Sequence, residues 1–113
     1  MSDGHLIRVD TYERDSALVV VLAGELDMAG ASDLAELIED IDWDRYDRVI
    51  FDLLDVSFMD SSGLGALIAL RNEHSDTEMA LVTGEEGLVS KVLDLTSMKD
   101  LFPIYSSADS ALA

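Results

Sequence analysis

No cysteine occurs among the 113 residues of the chain. Its absence excludes disulfide bonds, thiolate metal sites and cysteine nucleophiles, and it suits a reducing compartment. Long apolar runs are also missing, since the longest one, residues 17–23, is far too short to span a bilayer. The first residues lack the basic segment and the apolar segment of a signal peptide. We therefore predict a cytoplasmic protein that is not inserted in a membrane.

Basic side chains are scarce, because seven Lys and Arg residues stand against 24 Asp and Glu residues and leave a formal charge of −17. Such a surface repels phosphate backbones, which argues against direct binding of nucleic acid. A protein partner is expected to present a basic or neutral face. The same composition is also typical of a surface that is merely well solvated, or of a salt-adapted host, and composition alone leaves these interpretations open.

The apolar residues that are present alternate between strand and helix patterns. Residues 17–23 are continuously apolar and rich in valine, which is typical of a strand covered on both faces. Residues 6–12 alternate between apolar and polar side chains, and we expect the two segments to form an antiparallel hairpin. From residue 29 the spacing changes to that of an amphipathic helix, with an apolar stripe of Leu34, Leu37, Ile38 and Ile41.

Further strands are predicted at residues 49–54, 79–82 and 102–105, and further helices near residues 64–70, 88–95 and 107–112. This order predicts an α/β fold with one mixed sheet, antiparallel in its first hairpin and mostly parallel afterwards, packed with about four helices. Trp43 and Tyr46 flank an acidic stretch and are expected to anchor it. No linker or repeat interrupts the chain, so we expect a single domain over residues 1–113 with its core at about 6–112.

Two segments follow strands that are predicted to be parallel. The first is Gly-Glu-Leu-Asp at residues 24–27, and the second is residues 55–65. We expect both segments to be loops. Functional residues of such sheets gather in the loops beyond the carboxyl ends of the strands. If the two strands are neighbours, Asp27 and the Asp-Ser-Ser group at 60–62 lie on the same rim.

Residues 60–65, Asp-Ser-Ser-Gly-Leu-Gly, stand where this second segment becomes a helix. Free N–H groups and the helix dipole favour negative charge there, so Asp or Ser is also expected as an ordinary helix cap. Gly63 and Gly65 each cost about 0.5–1 kcal/mol relative to alanine, which indicates close approach of another backbone or of a partner. The outer face of the helix carries only small side chains, which predicts either a docking surface or packing under a neighbouring loop: Ser62, Gly65, Ala66 and Ala69.

Four segments together resemble a known family. They are Gly-Glu-Leu-Asp at 24–27, Val-Ser-Phe-Met-Asp-Ser-Ser-Gly-Leu-Gly at 56–65, Val-Leu-Asp-Leu-Thr at 92–96 and Leu-Phe-Pro-Ile-Tyr at 101–105. In this order they resemble the STAS domain of bacterial anti-sigma factor antagonists, from about residue 6 to residue 112. Two positions depart from the family pattern, because Ser97 replaces a glycine and the proline often found after Gly-Glu-Leu-Asp is absent.

The resemblance implies a function by partner switching. The unmodified protein would bind an anti-sigma factor that is also an ATP-dependent serine kinase, and would so free a sigma factor. Phosphorylation of the second serine of the element, here Ser62, would end that binding, and a serine phosphatase would reverse it. The chain itself would be no enzyme and would need no cofactor or metal. The residues expected to shape the acceptor loop or to contact the kinase are Asp27, Asp60, Ser61, Gly63, Gly65, Ala66 and Ala69.

Two other functions stay open. One is an adaptor subunit of a lipid-transport or other membrane assembly that is not phosphorylated, and the other is a small nucleotide-binding protein or hydrolase. The intact acceptor serine favours the antagonist. Asp27 and Asp60 lack the histidine, lysine or metal cluster that would join them in acid–base catalysis, and Ser62 lacks the Gly-x-Ser-x-Gly context of a hydrolase nucleophile. Met28 and Met59, near the same rim, are expected either to contact a partner or to fill the core.

Overall fold

A five-stranded sheet forms the centre of the computed structural model, which describes residues 7–113. The strands are β1 (Ile7–Arg14), β2 (Ala17–Leu26), β3 (Arg48–Met59), β4 (Glu78–Val82) and β5 (Ile104–Tyr105). The helices are α1 (Met28–Leu37), α2 (Ser61–Glu73), α3 (Leu88–Leu95) and α4 (Ala108–Leu112), with short 3-10 turns at Trp43–Arg45 and Met98–Asp100. The predicted first strand begins at residue 6, which lies outside the described residues.

The strands lie side by side in their order along the chain, from β1 to β5. β1 runs antiparallel to β2, and every later pair of neighbours is parallel. The hairpin turns at Asp15, whose φ of 57° lies in the left-handed region that aspartate tolerates better than most side chains. The predicted α/β class with an antiparallel first hairpin is confirmed.

The two faces of the sheet are covered unequally. On one face α1, α2 and α3 pack over the strands and enclose the main core, which holds Phe51 and Leu81 without exposure to solvent. On the other face, within residues 7–113, a smaller cluster around Val19 and Ile50 is closed by Ala111 of the short helix α4. This arrangement explains why the middle strands are apolar on both sides, whereas β1 is largely exposed.

Arg48 connects the last helix, α4, to the sheet. Its guanidinium donates to the carbonyl oxygen of Ala111 and lies 3.5 Å from a carboxylate oxygen of Glu78. Arg48 therefore connects β3, β4 and α4 at the edge where the parallel strands begin.

The apolar stripe predicts the first helix as far as residue 41, but α1 ends at Leu37. Ile38 is already the C-cap, and the N–H of Ile41 donates to the carbonyl of Ile38 at 3.1 Å, which closes a turn. Ile38 is buried and Ile41 is half-buried. The apolar spacing continues beyond the helix because the turn, like the helix, packs on the core.

The acidic stretch after α1 is anchored by its two aromatic side chains, as predicted. Trp43 is buried and stacks on His74, with ring centroids 4.0 Å apart. The hydroxyl of Tyr46 donates to a carboxylate oxygen of Glu13 at 2.7 Å, and this hydrogen bond raises the pKa of Tyr46 above its ordinary value. Arg45 lies 3.7 Å from the same carboxylate.

Candidate functional site

The two predicted loops are strand ends in the structure. β2 continues to Leu26 and β3 to Met59, and these two residues are partners across the parallel pair. Register shifts interrupt the pairing on the way, as they do at β-bulges. The prediction of loops is therefore wrong, because both segments pair their backbones with each other. The two strands are neighbours, so Asp27 and Asp60, which follow the paired residues directly, lie on one rim of the sheet.

Each of the two aspartates caps a helix. An Asp27 carboxylate oxygen accepts a hydrogen bond from the N–H of Gly30 at 2.8 Å, at the start of α1. A carboxylate oxygen of Asp60 accepts from the N–H of Ser62 at 2.9 Å and from that of Gly63 at 3.3 Å, at the start of α2. A cap of this kind contributes about 1 kcal/mol to stability. Two helix N-termini, each capped by a carboxylate, therefore lie next to each other on this rim.

Gly63 has a role inside the chain. It is buried, and a Cβ atom at this position would collide with the carbonyl oxygen of Leu26 and crowd the Leu26 side chain. Gly30 is placed in the same way under the carbonyl of Glu25. Gly63 is thus explained by the close approach of α2 to β2, which is one of the two explanations that the sequence offered for it.

The two serines differ in exposure. Ser61 is exposed and Ser62 is half-buried, and neither hydroxyl forms a hydrogen bond within residues 7–113. The backbone N–H of Ser62 donates to the carboxylate of Asp60, and this hydrogen bond fixes the position of the residue. Nothing in the described part of the chain competes with an external group for that hydroxyl.

The small side chains of α2 lie at the surface. Gly65 and Ala69 are exposed, and Ala66 is half-buried. A Cβ atom added at Gly65 would meet nothing within 4 Å, so packing inside the domain does not require this glycine. Ser62, Gly65, Ala66 and Ala69, which we call the α2 strip, are therefore accessible to another molecule.

The structure separates the two methionines near the rim. The Met28 side chain, at the first position of α1, is 75% exposed, whereas Met59 is 2% exposed and belongs to the main core. Met28 follows the cap Asp27 directly, so it adds a flexible apolar group to the same rim as Ser61 and Ser62. Phe58, also partly exposed, lies in the last part of β3, within a segment that was predicted to be a loop.

No group of three or more His, Asp or Glu side chains is arranged to hold a metal ion in the described range 7–113. In the same range no helix is both long enough and apolar enough to cross a membrane.

A sequence model of the STAS domain matches residues 8–111, which is nearly the whole chain. The chain belongs to the STAS domain family. One relative, the anti-sigma-B factor antagonist of Staphylococcus epidermidis, is 26% identical over 99 residues, which cover 87% of this chain and 92% of the relative. The corresponding protein of Staphylococcus aureus is 25% identical over the same length.

Two solved structures of anti-sigma factor antagonists show the same architecture. The crystal structure of an anti-sigma factor antagonist from Mycobacterium paratuberculosis is 28% identical, with a TM-score of 0.85, and the match covers 99% of this chain and 96% of that one. The anti-sigma factor antagonist SpoIIAA in its unphosphorylated form, at 20% identity and a TM-score of 0.71, is similar in fold. The family match, over residues 8–111, covers Asp27 and Asp60 of this chain.

Proposed function

We propose that this STAS domain is an anti-sigma factor antagonist that is switched by phosphorylation of Ser62. In the unmodified state the α2 strip and the rim beside it bind an anti-sigma factor that is also a serine kinase, and the sigma factor is released. The observation that carries the proposal is the Ser62 hydroxyl, which forms no hydrogen bond with the described residues 7–113 although its backbone is fixed by the cap Asp60. The names of the similar proteins support the general function.

The chemistry on this chain is the acceptance of one phosphoryl group. The γ-phosphoryl group of ATP, bound by the kinase, is transferred to the oxygen of Ser62, the hydroxyl proton is lost, and ADP is released. Because the acceptor hydroxyl requires no rearrangement within the domain, the kinase has to supply only ATP, the metal ion that accompanies it and a base. This division of labour fits a chain that is not itself an enzyme.

Phosphorylation is expected to end the binding by local charge. A phosphate adds about −1.5 to −2 charges at neutral pH. At Ser62 it meets the carboxylates of Asp27 and Asp60, and none of the seven basic residues occurs in segments 24–34 or 55–65. The N–H groups of the first turn that would hold a phosphate already donate to Asp60. A loss of about 3 kcal/mol of complementarity corresponds to roughly a hundredfold weaker complex.

The α2 strip supports a close contact with the partner. An ordinary exposed helix face carries long polar side chains, whereas this face ends at the Cα of Gly65 and the methyl group of Ala69. A partner can therefore approach the backbone of α2, and the exposed Met28 can adapt to its surface at the edge of that contact.

The deciding experiment is phosphorylation by candidate kinase anti-sigma factors with labelled ATP, followed by mass mapping of the site. We expect one phosphate, on Ser62, for the wild type and for Ser61→Ala, and none for Ser62→Ala. Ser62→Ala should still bind the kinase, and Ser62→Asp should bind it much more weakly. Label in Ser62→Ala at the rate of the wild type would assign the acceptor to Ser61. Capture of membrane-transport subunits in place of a kinase would favour the adaptor function.

A further inference from the structure

Thr83 is a buried residue whose hydroxyl has no partner in the described part of the chain. Its exposed fraction is 7%, and its backbone N–H donates to the carbonyl oxygen of Tyr105 at 3.0 Å. The hydroxyl forms no hydrogen bond with any group of residues 7–113. By contrast, the hydroxyl of the buried Thr77 donates to the carbonyl oxygen of Trp43 at 3.3 Å. Because buried hydroxyls are nearly always hydrogen-bonded, that of Thr83 calls for a partner from outside the domain, either water or a ligand.

The side chain of Thr83 faces a cavity between the ends of β4 and β5 and helix α3. Its N–H continues the ladder of β4 and β5, so the alternation of side chains puts Thr83 on the same face as Leu81, which α3 covers. The cavity has a volume of about 300 Å³, and Leu93 of α3 and Ile104 of β5 form its apolar lining. This volume is at the lower end of the range for small-molecule sites.

The polar side chains of this cavity offer mainly hydrogen-bond acceptors. Ser90 and Asp94 lie one turn apart on the same face of α3, and both line the cavity, as does Glu85 ahead of the helix. The hydroxyl of Ser90 donates to the carbonyl oxygen of Glu85 at 3.4 Å, so it has lone pairs to offer. The two carboxylates only accept, and neither forms an ion pair with another described residue. A ligand with several N–H donors fits this lining.

The charge of the lining favours an organic cation. No basic residue lines the cavity. Lys91 and the N-cap Gly87, where the dipole of α3 is positive, line an adjoining hollow instead. Asp94 lies in the last turn of α3, where the helix dipole favours positive charge. Within residues 7–113 no group of three or more His, Asp or Glu side chains could hold a metal ion, so an organic cation fits the cavity better than a metal.

We propose that this cavity binds a small organic cation, a primary ammonium group on a short apolar stem. The ammonium group donates to the hydroxyl of Thr83 and to the carboxylate of Asp94, and the stem packs on Leu93 and Ile104. Charge-assisted hydrogen bonds supply most of the affinity. The cavity lies beyond the carboxyl ends of β4 and β5, and none of its lining residues belongs to the α2 strip. The site is therefore independent of the function proposed above.

The probe for the test is n-butylammonium, added to the ¹⁵N-labelled protein at constant ionic strength. We expect saturable NMR shift changes confined to residues 83–85, 90–94 and 104–106, with an affinity on the order of millimolar for so small a ligand. n-Butyltrimethylammonium has the same charge and stem but no N–H donor, and it should bind about tenfold more weakly or less tightly still. Butyrate, which has the opposite charge, should not bind.

Two variants locate the site. Thr83→Val keeps the shape of the side chain without its hydroxyl, and it should lower the affinity for n-butylammonium about tenfold. It should not lower the midpoint of urea denaturation, because the lost hydroxyl has no partner within the domain. Asp94→Asn should weaken binding as well. Asp76→Asn removes the same charge from an exposed turn between α2 and β4, and it should change the affinity little.

Four results would overturn the proposal. Equal binding of n-butylammonium and n-butyltrimethylammonium would indicate general attraction to the acidic surface. Unchanged affinity in Thr83→Val would show that the buried hydroxyl does not contact the ligand. A clearly lower stability of Thr83→Val would show that the hydroxyl has a partner inside the domain. If no saturable shifts occur at residues 83–85, 90–94 and 104–106, the cavity holds water only.

Discussion

Asp60 combines two roles at the scale of a single residue. Its carboxylate closes the first turn of α2 and, through the same hydrogen bonds, fixes the backbone of the proposed acceptor Ser62. Stability and presentation of the acceptor are therefore coupled, and a variant that keeps the cap but changes the charge can separate them.

Asp60→Ala is expected to lower the free energy of unfolding by about 1 kcal/mol, because two N–H groups of α2 lose their acceptor. Asp60→Asn keeps a capping oxygen and should lose less. If Asp60 acts on the kinase reaction only through the cap, Asp60→Asn also keeps most of the phosphorylation rate. Urea denaturation and the initial rate of phosphate incorporation measure the two effects. A stable Asp60→Asn protein that is not phosphorylated would show that the carboxylate itself takes part in recognition by the kinase.

Tyr46 provides a second residue-scale prediction. Its hydrogen bond to Glu13 stabilises the neutral phenol, so its pKa is raised. The contribution to stability is present below the ordinary pKa of a tyrosine, about 10, and is lost as the pH rises through the higher pKa of the folded protein. Glu13→Ala should return the titration of Tyr46 towards the ordinary value, as measured by NMR of the ring carbon that carries the hydroxyl. Glu25→Ala is the control, and an equal shift in that variant would contradict the assignment.

At the scale of the element, α2 carries two glycines with opposite explanations. Gly63 is required by the backbone of β2 beneath it, whereas nothing inside the domain requires Gly65. Gly63→Ala should destabilise the fold clearly, because its Cβ collides with the Leu26 carbonyl. Gly65→Ala should stabilise it by up to about 1 kcal/mol through helix propensity. Urea denaturation measures the free energy of unfolding of the two variants. A lower stability of Gly65→Ala would show that the space around Gly65 is occupied in solution.

The outer face of α2 also separates folding from binding. Ala69→Glu should leave the unfolding midpoint nearly unchanged, because the methyl group is exposed and glutamate is a good helix former. The same variant should bind the kinase much more weakly, since a long charged side chain holds the two surfaces apart. Asn72 is also exposed and lies about one turn nearer the C-terminal end of α2, so Asn72→Glu is a matched control for the added charge. Equal losses of binding in both variants would point to general repulsion and against a contact at the α2 strip.

The sequence predicts the order and type of these elements well, and the reason is visible in particular residues. Val19 and Val20 of β2 and Leu67 of α2 are fully buried, as their spacing indicates. Spacing cannot separate Gly63 from Gly65, or Met59 from the exposed Met28, because each distinction depends on how closely a helix approaches a neighbouring strand. The exposure of Leu37 cannot be predicted for the same reason, since this residue belongs to an apolar stripe whose other members are buried or half-buried.

At the scale of the whole molecule, charge dominates. The chain carries −17, and its few basic residues are partly engaged within the domain, as Arg45 and Arg48 are with Glu13 and Glu78. The field outside the protein is therefore strongly negative. We therefore expect a partner with a basic docking face to be attracted from a distance, and short-range packing at the α2 strip to hold the complex once it has formed.

This difference in range predicts the effect of salt on binding kinetics. Raising the ionic strength from about 0.1 M to about 0.5 M shortens the screening length from roughly 10 Å to roughly 4 Å. The association rate with the kinase should fall clearly, while the dissociation rate should change much less, because the contacts of Ser62, Ala66 and Ala69 act at short range.

Stopped-flow measurements of the association rate over this range of ionic strength test the prediction. They are repeated with a variant in which the distant Asp44 and Asp109 are replaced by asparagine. The variant should associate more slowly at low salt and approach the wild type at high salt, since only long-range attraction has been reduced. An association rate independent of salt would show that the acidic surface does not steer the partner. A rate or a stability that rises with salt would instead indicate carboxylates that repel one another until they are screened, as expected of a salt-adapted protein.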